Sequence, residues 1–110
     1  MVTRLVRKRS GSVVDFDRSR IESAIARAYE ASKVRIDIVS LSELVDRVVQ
    51  VTDTTYEEGY VPEVEDIQNI VEKEIATKGD FEVAKAYILY REERNKERKR
   101  DILKKRMYLK

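Results

Sequence analysis

The chain has neither cysteine nor histidine, and it has only three glycines and one proline among its 110 residues. The lack of cysteine excludes a disulfide-bonded secreted scaffold, a zinc ribbon and thiolate catalysis. The lack of histidine removes the side chain that most often exchanges protons near neutral pH. So few glycines and prolines disfavour disorder and an all-β sandwich, and they favour helices joined by short connections.

Long apolar runs and catalytic signatures are missing as well. No stretch approaches the roughly 18 apolar residues that a membrane-spanning helix needs, and the N-terminus lacks the apolar segment of a signal peptide. The sequence contains no nucleophile elbow, no P-loop and no dinucleotide-binding glycine pattern. Its many carboxylates alternate with lysine and arginine, as on a solvated helix surface. We therefore expect a cytoplasmic protein that is not itself an enzyme, with no catalytic and no metal-ligating residues.

Charge is distributed unevenly along the chain, although the net charge is only +2. The stretch from Arg91 to the C-terminus carries ten basic and four acidic residues, a net charge of +6, which leaves −4 for the remainder. Such a segment is typical of a nucleic-acid-binding arm or of a charged helix that leads out of a domain. Acidic residues interrupt it and aromatic residues are absent before Tyr108, which favours the solvated helix. A small nucleic-acid-binding protein that uses this basic helix remains the alternative function.

The N-terminal residues predict a β-hairpin. Residues 2–9 alternate loosely between apolar and polar, and Val13, Val14 and Phe16 follow a Ser10-Gly11 turn. A single hairpin is marginally stable in water, so we expect it to pack against helices.

Four helices are predicted after the hairpin, which gives an α+β fold of order ββαααα. Asp17 is the predicted N-cap of a helix over about 18–32, and Ser40 to Glu43 has the form of a capping box for a second helix that ends near Thr55. A third helix runs from Val64 to a Gly79 cap. The fourth follows Asp80, and the residues expected to face inward are Phe81, Ala84, Tyr87 and Ile88, with Arg91 as a further candidate. We expect residues 92–100 to extend this helix into solvent, and the last ten residues to begin a further element or to form a frayed end.

Lys8 and Arg9 stand out among the charged residues because they lie where a strand enters the Gly11 turn. Backbone N–H groups of such a turn can face an anion. A lysine ammonium beside an arginine guanidinium is also a suitable pair for a polyphosphate. The pattern predicts either a phosphate-binding edge or simply a charged hairpin tip.

Four short motifs in matching order and spacing resemble the ATP-cone domain, and together they cover about residues 3–95. They are Val6-Arg7-Lys8-Arg9-Ser10-Gly11; Phe16-Asp17 with Arg20-Ile21; Val64-Glu65-Asp66-Ile67-Gln68 with Val71-Glu72; and Ala84-Lys85-Ala86-Tyr87-Ile88-Leu89-Tyr90-Arg91 with Arg94. The resemblance implies a small N-terminal sheet or hairpin that caps a four-helix bundle. It also implies an ATP-cone domain over residues 1–95, followed by a basic extension or linker over residues 96–110 toward a further domain.

The resemblance implies a function too. ATP-cones are N-terminal regulatory modules of ribonucleotide reductase large subunits, and they bind ATP or dATP as allosteric ligands, here expected with Mg²⁺. They often act through subunit association. The implied partners are the nucleotide, the catalytic domain or subunit of a ribonucleotide reductase and a second cone. We expect no membrane, and nucleic acid is a partner only in the alternative function.

The same resemblance implies the residues of the nucleotide site. Lys8 and Arg9 match the phosphate-binding pair beside Gly11, and the remaining positions that match nucleotide contacts are Val6, Arg20, Ile21, Val64, Gln68 and, on the fourth helix, Arg91 or Arg94. One position departs from the family pattern. Many cones carry glutamate three residues after the hairpin glycine, whereas this chain has Val14 followed by Asp15. Strand alternation predicts that Asp15 points to the opposite face of the strand.

Overall fold

The structure, a computed structural model, describes residues 4–108, with side chains described for residues 4–97. The predicted start of the first strand at residue 2 and most basic side chains of the C-terminal segment therefore lie outside the described part of the chain.

The N-terminal hairpin is formed by β1 (Leu5–Arg7) and β2 (Val13–Asp15), which pair antiparallel with Val6 opposite Val14. The Gly11 amide donates to the Lys8 carbonyl at 2.9 Å, and Gly11 has a φ of +92°. A three-residue hairpin loop with a left-handed residue at its end has this form, and glycine adopts that conformation without steric cost. The predicted hairpin and its glycine turn are thus confirmed.

Four helices follow, α1 (Arg18–Ser32), α2 (Ile38–Thr55), α3 (Val64–Lys78) and α4 (Phe81–Tyr108). The predicted order ββαααα is confirmed. The Asp17 carboxylate caps α1 by accepting from the Ser19 amide at 2.9 Å. At the end of α3, Gly79 has a φ of +98° and closes the helix, as its position after Lys78 predicted.

The start of α2 differs from the prediction. The prediction of a capping box from Ser40 to Glu43 is wrong, because the helix begins at Ile38 with Asp37 as its N-cap. The Asp37 carboxylate accepts from the Ser40 amide at 2.7 Å, and this hydrogen bond lowers the pKa of Asp37. Aspartate and serine are comparable N-caps, so an aspartate three residues earlier adds almost one turn to the helix.

The inward face of α4 also differs in part from the predicted one. Val83, Ala84 and Tyr87 are buried, whereas Phe81 is 70% exposed, so the prediction that Phe81 faces inward is wrong. Phe81 lies about 200° around the helix axis from Val83, at 100° per residue. The helix then continues as predicted beyond Arg91, and it runs without interruption to Tyr108 instead of giving way to a further element.

One hydrophobic core lies between the four helices and the hairpin. Its buried apolar residues come from every element except β2, and they are Val6, Ile25, Ala28, Tyr29, Leu44, Val45, Val48, Ile67, Val71, Ile75, Val83, Ala84 and Tyr87. Val6 is the hairpin's buried contribution to this core.

The hairpin is fixed to the connection between α2 and α3. The Arg7 amide donates to the Pro62 carbonyl at 2.9 Å, and Arg7 forms a parallel bridge with Glu63. The largely buried Arg4 guanidinium donates to Asp53 at 3.3 Å and to the carbonyl of Tyr56 at 3.1 Å. These contacts hold β1 over the end of α2 and the beginning of α3. Within residues 4–108, no helix combines the length and the apolar character that a bilayer crossing requires.

Candidate functional site

A cavity of about 630 Å³ lies at the hairpin end of the bundle. Its walls come from both strands, from the first half of α1, from the first half of α3 and from the middle of α4. The chain direction explains this meeting of elements: α1 and α3 begin near the hairpin, whereas α4 begins at the far end and returns to it. The volume is typical of sites for small molecules and cofactors.

Most of the residues that the sequence predicts for the nucleotide site line this one cavity. Eight of the ten do so, and they are Val6, Lys8, Arg20, Ile21, Val64, Gln68, Arg91 and Arg94. The other two, Arg9 and Gly11, lie on the hairpin turn outside the lining. The fold therefore gathers side chains that are up to 88 positions apart in the sequence, between Val6 and Arg94.

The cavity lining is mainly cationic. Five basic residues line it (Lys8, Arg20, Arg27, Arg91 and Arg94), against two acidic residues, Asp15 and Asp17. The Ser19 hydroxyl, 2.5 Å from the Asp17 carboxylate, lowers the pKa of Asp17. Asp17 therefore stays ionised at neutral pH, and the excess of positive charge suits an anionic ligand.

The two α4 arginines are placed differently. The Arg91 side chain is 16% exposed, and its guanidinium donates to Asn69 at 2.9 Å and to Glu72 at 3.2 Å, both on α3. Arg94 is exposed and, among the side chains described for residues 4–97, has no hydrogen-bond or ion-pair partner. Lys8 is likewise exposed and unpaired within the same residues. Arg91 is thus held against α3, while Lys8 and Arg94 are available to a ligand.

The remaining predicted cations are paired to different degrees. Arg9 forms an ion pair with Glu65 on α3 at 2.6 Å. Arg20 is more loosely held, at 3.7 Å from Asp17 one helical turn away.

The deeper part of the cavity is apolar and contains one unsatisfied acceptor. Val6, Ile67 and Val71 are buried core residues that also line the cavity. Beside them, the buried side-chain oxygen of Gln68 has no hydrogen-bond partner in the described part of the chain. Leaving a buried acceptor unpaired costs about 1–3 kcal/mol, and a ligand that donates to it would remove that cost.

Two tyrosines border the cavity. Burial raises the pKa of Tyr87 to about 12, so its hydroxyl stays protonated at neutral pH. The Tyr90 hydroxyl accepts from Arg27 at 3.0 Å and so ties α4 to α1. Tyr87 thus packs in the core, and Tyr90 links two helices.

Sequence reasoning missed part of the lining. The additional residues are Val14, Asp15, Phe16, Asp17, Ser19, Ser23, Ala24, Arg27, Ile67, Val71, Tyr87, Tyr90 and Asn95. Helical spacing was the available signal, because Ala24 lies three residues beyond Ile21, and Val71 lies three beyond Gln68. The register of β2 adds Val14, which is opposite the cavity-lining Val6. No group of three or more potential metal ligands occurs among the residues that the structure describes.

This arrangement suits a ligand with an anionic end and an apolar ring. Cationic side chains from the hairpin, α1 and α4 can surround negative charge, while aliphatic residues and Tyr87 provide an apolar floor. A polar donor on the ligand would meet the Gln68 oxygen.

Comparisons with known proteins agree with this geometry. The family model described as ATP cone domain matches residues 4–96. A vitamin B12-dependent ribonucleoside-diphosphate reductase of Mycobacterium tuberculosis (strain CDC 1551 / Oshkosh) is 39% identical over 89 residues, which cover 81% of this chain and 12% of that protein. The ribonucleoside-diphosphate reductase subunit alpha of Chlamydia trachomatis is 33% identical over 96 residues, or 79% of this chain and 9% of that protein.

A vitamin B12-dependent ribonucleoside-diphosphate reductase of Thermoplasma acidophilum is 37% identical over 92 residues, with 79% of this chain and 11% of that protein covered. The chain thus spans about a tenth of the length of the curated relatives it matches. Nearly all of the hairpin and bundle falls within the match to the family model, and the chain belongs to the ATP-cone family.

Proposed function

We propose that this chain is an allosteric module that binds ATP or dATP and thereby regulates a ribonucleotide reductase. The observation that carries the proposal is one cavity in which Lys8 and Arg94, both unpaired among the described side chains, line the same space as an apolar floor. Membership of the ATP-cone family and the names of the relatives support it.

The triphosphate would bind at the cationic part of the cavity. Lys8 and Arg94 are exposed and unpaired in the described residues, so they can contact phosphate without breaking an existing contact. Arg91 would act differently, because its bonds to Asn69 and Glu72 make it a positioning residue between α3 and α4. Mg²⁺ would arrive with the phosphates and would keep several water ligands, with Asp15 and Asp17 as the nearby carboxylates.

The nucleoside would occupy the apolar part of the cavity. Val6, Ile21 and Val64 present aliphatic surface to a base. The unpaired Gln68 oxygen would accept from a donor on the nucleotide, which carries such donors on the ribose and on the adenine amino group.

Regulation requires that the nucleotide bind two states of the protein with different affinity. Helix α4 provides a physical connection, since it carries Arg91 and Arg94 and continues to Tyr108. We propose that residues 1–95 form the nucleotide-binding domain and that residues 96–110 link it to a catalytic part. Binding would then change the association with that part or with a second cone.

Isothermal titration calorimetry with ATP and with dATP tests the proposal. We expect heat from both nucleotides, and we expect Lys8→Ala to weaken binding about tenfold, the effect of losing one charged contact. Lys73→Ala is the matched control, because Lys73 is an exposed lysine on α3 outside the cavity lining.

The absence of heat and of a thermal shift at millimolar nucleotide would refute the proposed function. Salt-sensitive binding of DNA or RNA that persists in Lys8→Ala would instead support the basic-helix alternative.

A further inference from the structure

Arg9 differs from the other predicted phosphate-binding cations. It does not line the cavity, and its guanidinium is paired with a carboxylate on α3. Its Nη2 lies 2.6 Å from Oε1 of Glu65, which belongs to the first turn of α3. The neighbouring Lys8 lines the cavity, whereas Arg9 does not. Within the side chains described, the hairpin tip therefore presents the unpaired Lys8 to the cavity, while Glu65 of α3 already neutralises Arg9.

A phosphate can replace the Glu65 carboxylate as the partner of Arg9. The two side chains are 28% and 49% exposed, so both are partly accessible to solvent. An ion pair of this kind contributes little to the stability of the fold. A phosphate oxygen offers the same charge-assisted hydrogen bonds as the carboxylate. Replacing one anion by the other costs the guanidinium little.

The other acid–base pairs near the cavity restrain their cations either more strongly or more weakly than Glu65 restrains Arg9. The Arg91 side chain is 16% exposed and donates to two acceptors on α3, so its release would break two hydrogen bonds of a largely buried side chain. Arg20, in the first turn of α1, lies 3.7 Å from the N-cap Asp17 and is highly exposed, so that pair restrains it weakly.

We propose that Glu65 is an internal competitor for the phosphates of the nucleotide, and that it holds Arg9 away from the cavity until a ligand displaces it. This inference rests on the proposed function and adds a regulatory step to the same site. Nucleotide binding breaks the contact between the hairpin tip and the first turn of α3, so the ligand changes how these two elements are joined. Glu65 thereby lowers nucleotide affinity and makes the hairpin-to-α3 contact dependent on the ligand.

The test compares Glu65→Gln with the unaltered chain by calorimetric titration with ATP. Glutamine keeps the size of the side chain but removes the charge that competes with phosphate. We expect ATP affinity to rise about two- to fivefold, the range that corresponds to an exposed ion pair. Glu58→Gln is the matched control, because it removes the same charge from an exposed residue outside the cavity lining, and we expect it to leave the affinity unchanged.

A double-mutant cycle with Arg9→Gln identifies the mechanism. We expect the gain from Glu65→Gln to disappear when Arg9 is also replaced. An unchanged or reduced affinity in Glu65→Gln overturns the inference, and so does a gain that persists in the Arg9→Gln background or that Glu58→Gln reproduces. These results leave the proposed function intact, whereas a failure of the unaltered chain to bind ATP overturns both.

Discussion

The two ends of the helical bundle differ in how completely their polar groups are paired. At the end remote from the hairpin, the buried Tyr29 donates its hydroxyl to Asp80 at 2.5 Å, and Lys78 donates to the same carboxylate at 2.9 Å. Lys78 also lies 5.6 Å from the centre of the Tyr29 ring. At the hairpin end, Gln68 has an unpaired buried oxygen within the described residues, and Lys8 and Arg94 lack partners there.

This difference separates stability from binding. Polar groups that satisfy one another stabilise the folded state without needing a ligand. Polar groups that stay unpaired cost stability, and their cost is recovered when a ligand of matching charge and hydrogen bonding arrives. We therefore expect substitutions at the two ends to affect different measurements.

The largest change in stability is expected from Tyr29→Phe. The substitution keeps the buried ring but removes the hydroxyl that donates to Asp80. A hydrogen bond to a charged group contributes about 1.5–3 kcal/mol, so the free energy of unfolding in urea should fall by about that amount. ATP affinity should not change.

Tyr60→Phe serves as the control for that substitution, because Tyr60 is half-exposed and stacks on Tyr56 by its ring. Equal destabilisation by both variants, or a loss of ATP binding in Tyr29→Phe, would contradict the division between stability at the remote end and binding at the hairpin end.

The next largest effect is expected from Arg94→Ala, which acts on binding alone. We expect about a tenfold loss of ATP affinity, about 1.4 kcal/mol, with an unchanged thermal midpoint. Arg91→Ala should lower the thermal midpoint as well, since it removes the hydrogen bonds that join α4 to Asn69 and Glu72. Calorimetry and thermal unfolding of both variants would distinguish the ligand contact from the positioning residue, and an equal loss of stability in the two would contradict this division.

Gln68→Leu is expected to move stability and binding in opposite directions. Leucine has a similar volume and no unpaired acceptor, so we expect the free energy of unfolding without ligand to rise by about 1 kcal/mol. ATP affinity should fall severalfold, because the hydrogen bond to the ligand is lost. A variant that loses stability and retains its affinity would show that the Gln68 oxygen has no role in binding.

The smallest effect is expected from the pH dependence at the remote end. The Tyr29 hydroxyl and then Lys78 lower the pKa of Asp80 below its usual value of 3.8. Its ionised form therefore stabilises the fold above about pH 4, and this contribution is lost as the pH falls through the lowered pKa. In Tyr29→Phe, the free energy of unfolding should depend less on pH in this range. An unchanged dependence would show that ionisation of Asp80 does not contribute to stability there.

Much of the fold follows from local features of the sequence. The bounds of α1 and α3 agree with the apolar periodicity, with the Asp17 cap and with Gly79, because such signals act within one helical turn. Local reasoning failed at the start of α2, where two adequate N-caps compete, and at Phe81, whose position on α4 is set by which residues meet the core.

The candidate site depends less on local sequence features than the fold does. Its residue types were recognisable from short motifs, and eight of the ten predicted positions line the cavity. The pairing of Arg9 with Glu65 and of Arg91 with Glu72 could not be predicted, since each pair joins residues from different elements. Such contacts depend on distances of a few ångströms, which periodicity and spacing along the chain do not encode.

By itself, the sequence determined the element order, most helix ends and the set of cations from which a phosphate site could be built. Those properties arise from hydrophobic spacing and from hydrogen bonds between near neighbours. Only the tertiary structure decided which cations are free and which are already neutralised, because that depends on how the hairpin, α3 and α4 pack together. The same packing decided that Gln68 is left with an unpaired acceptor at the floor of the cavity.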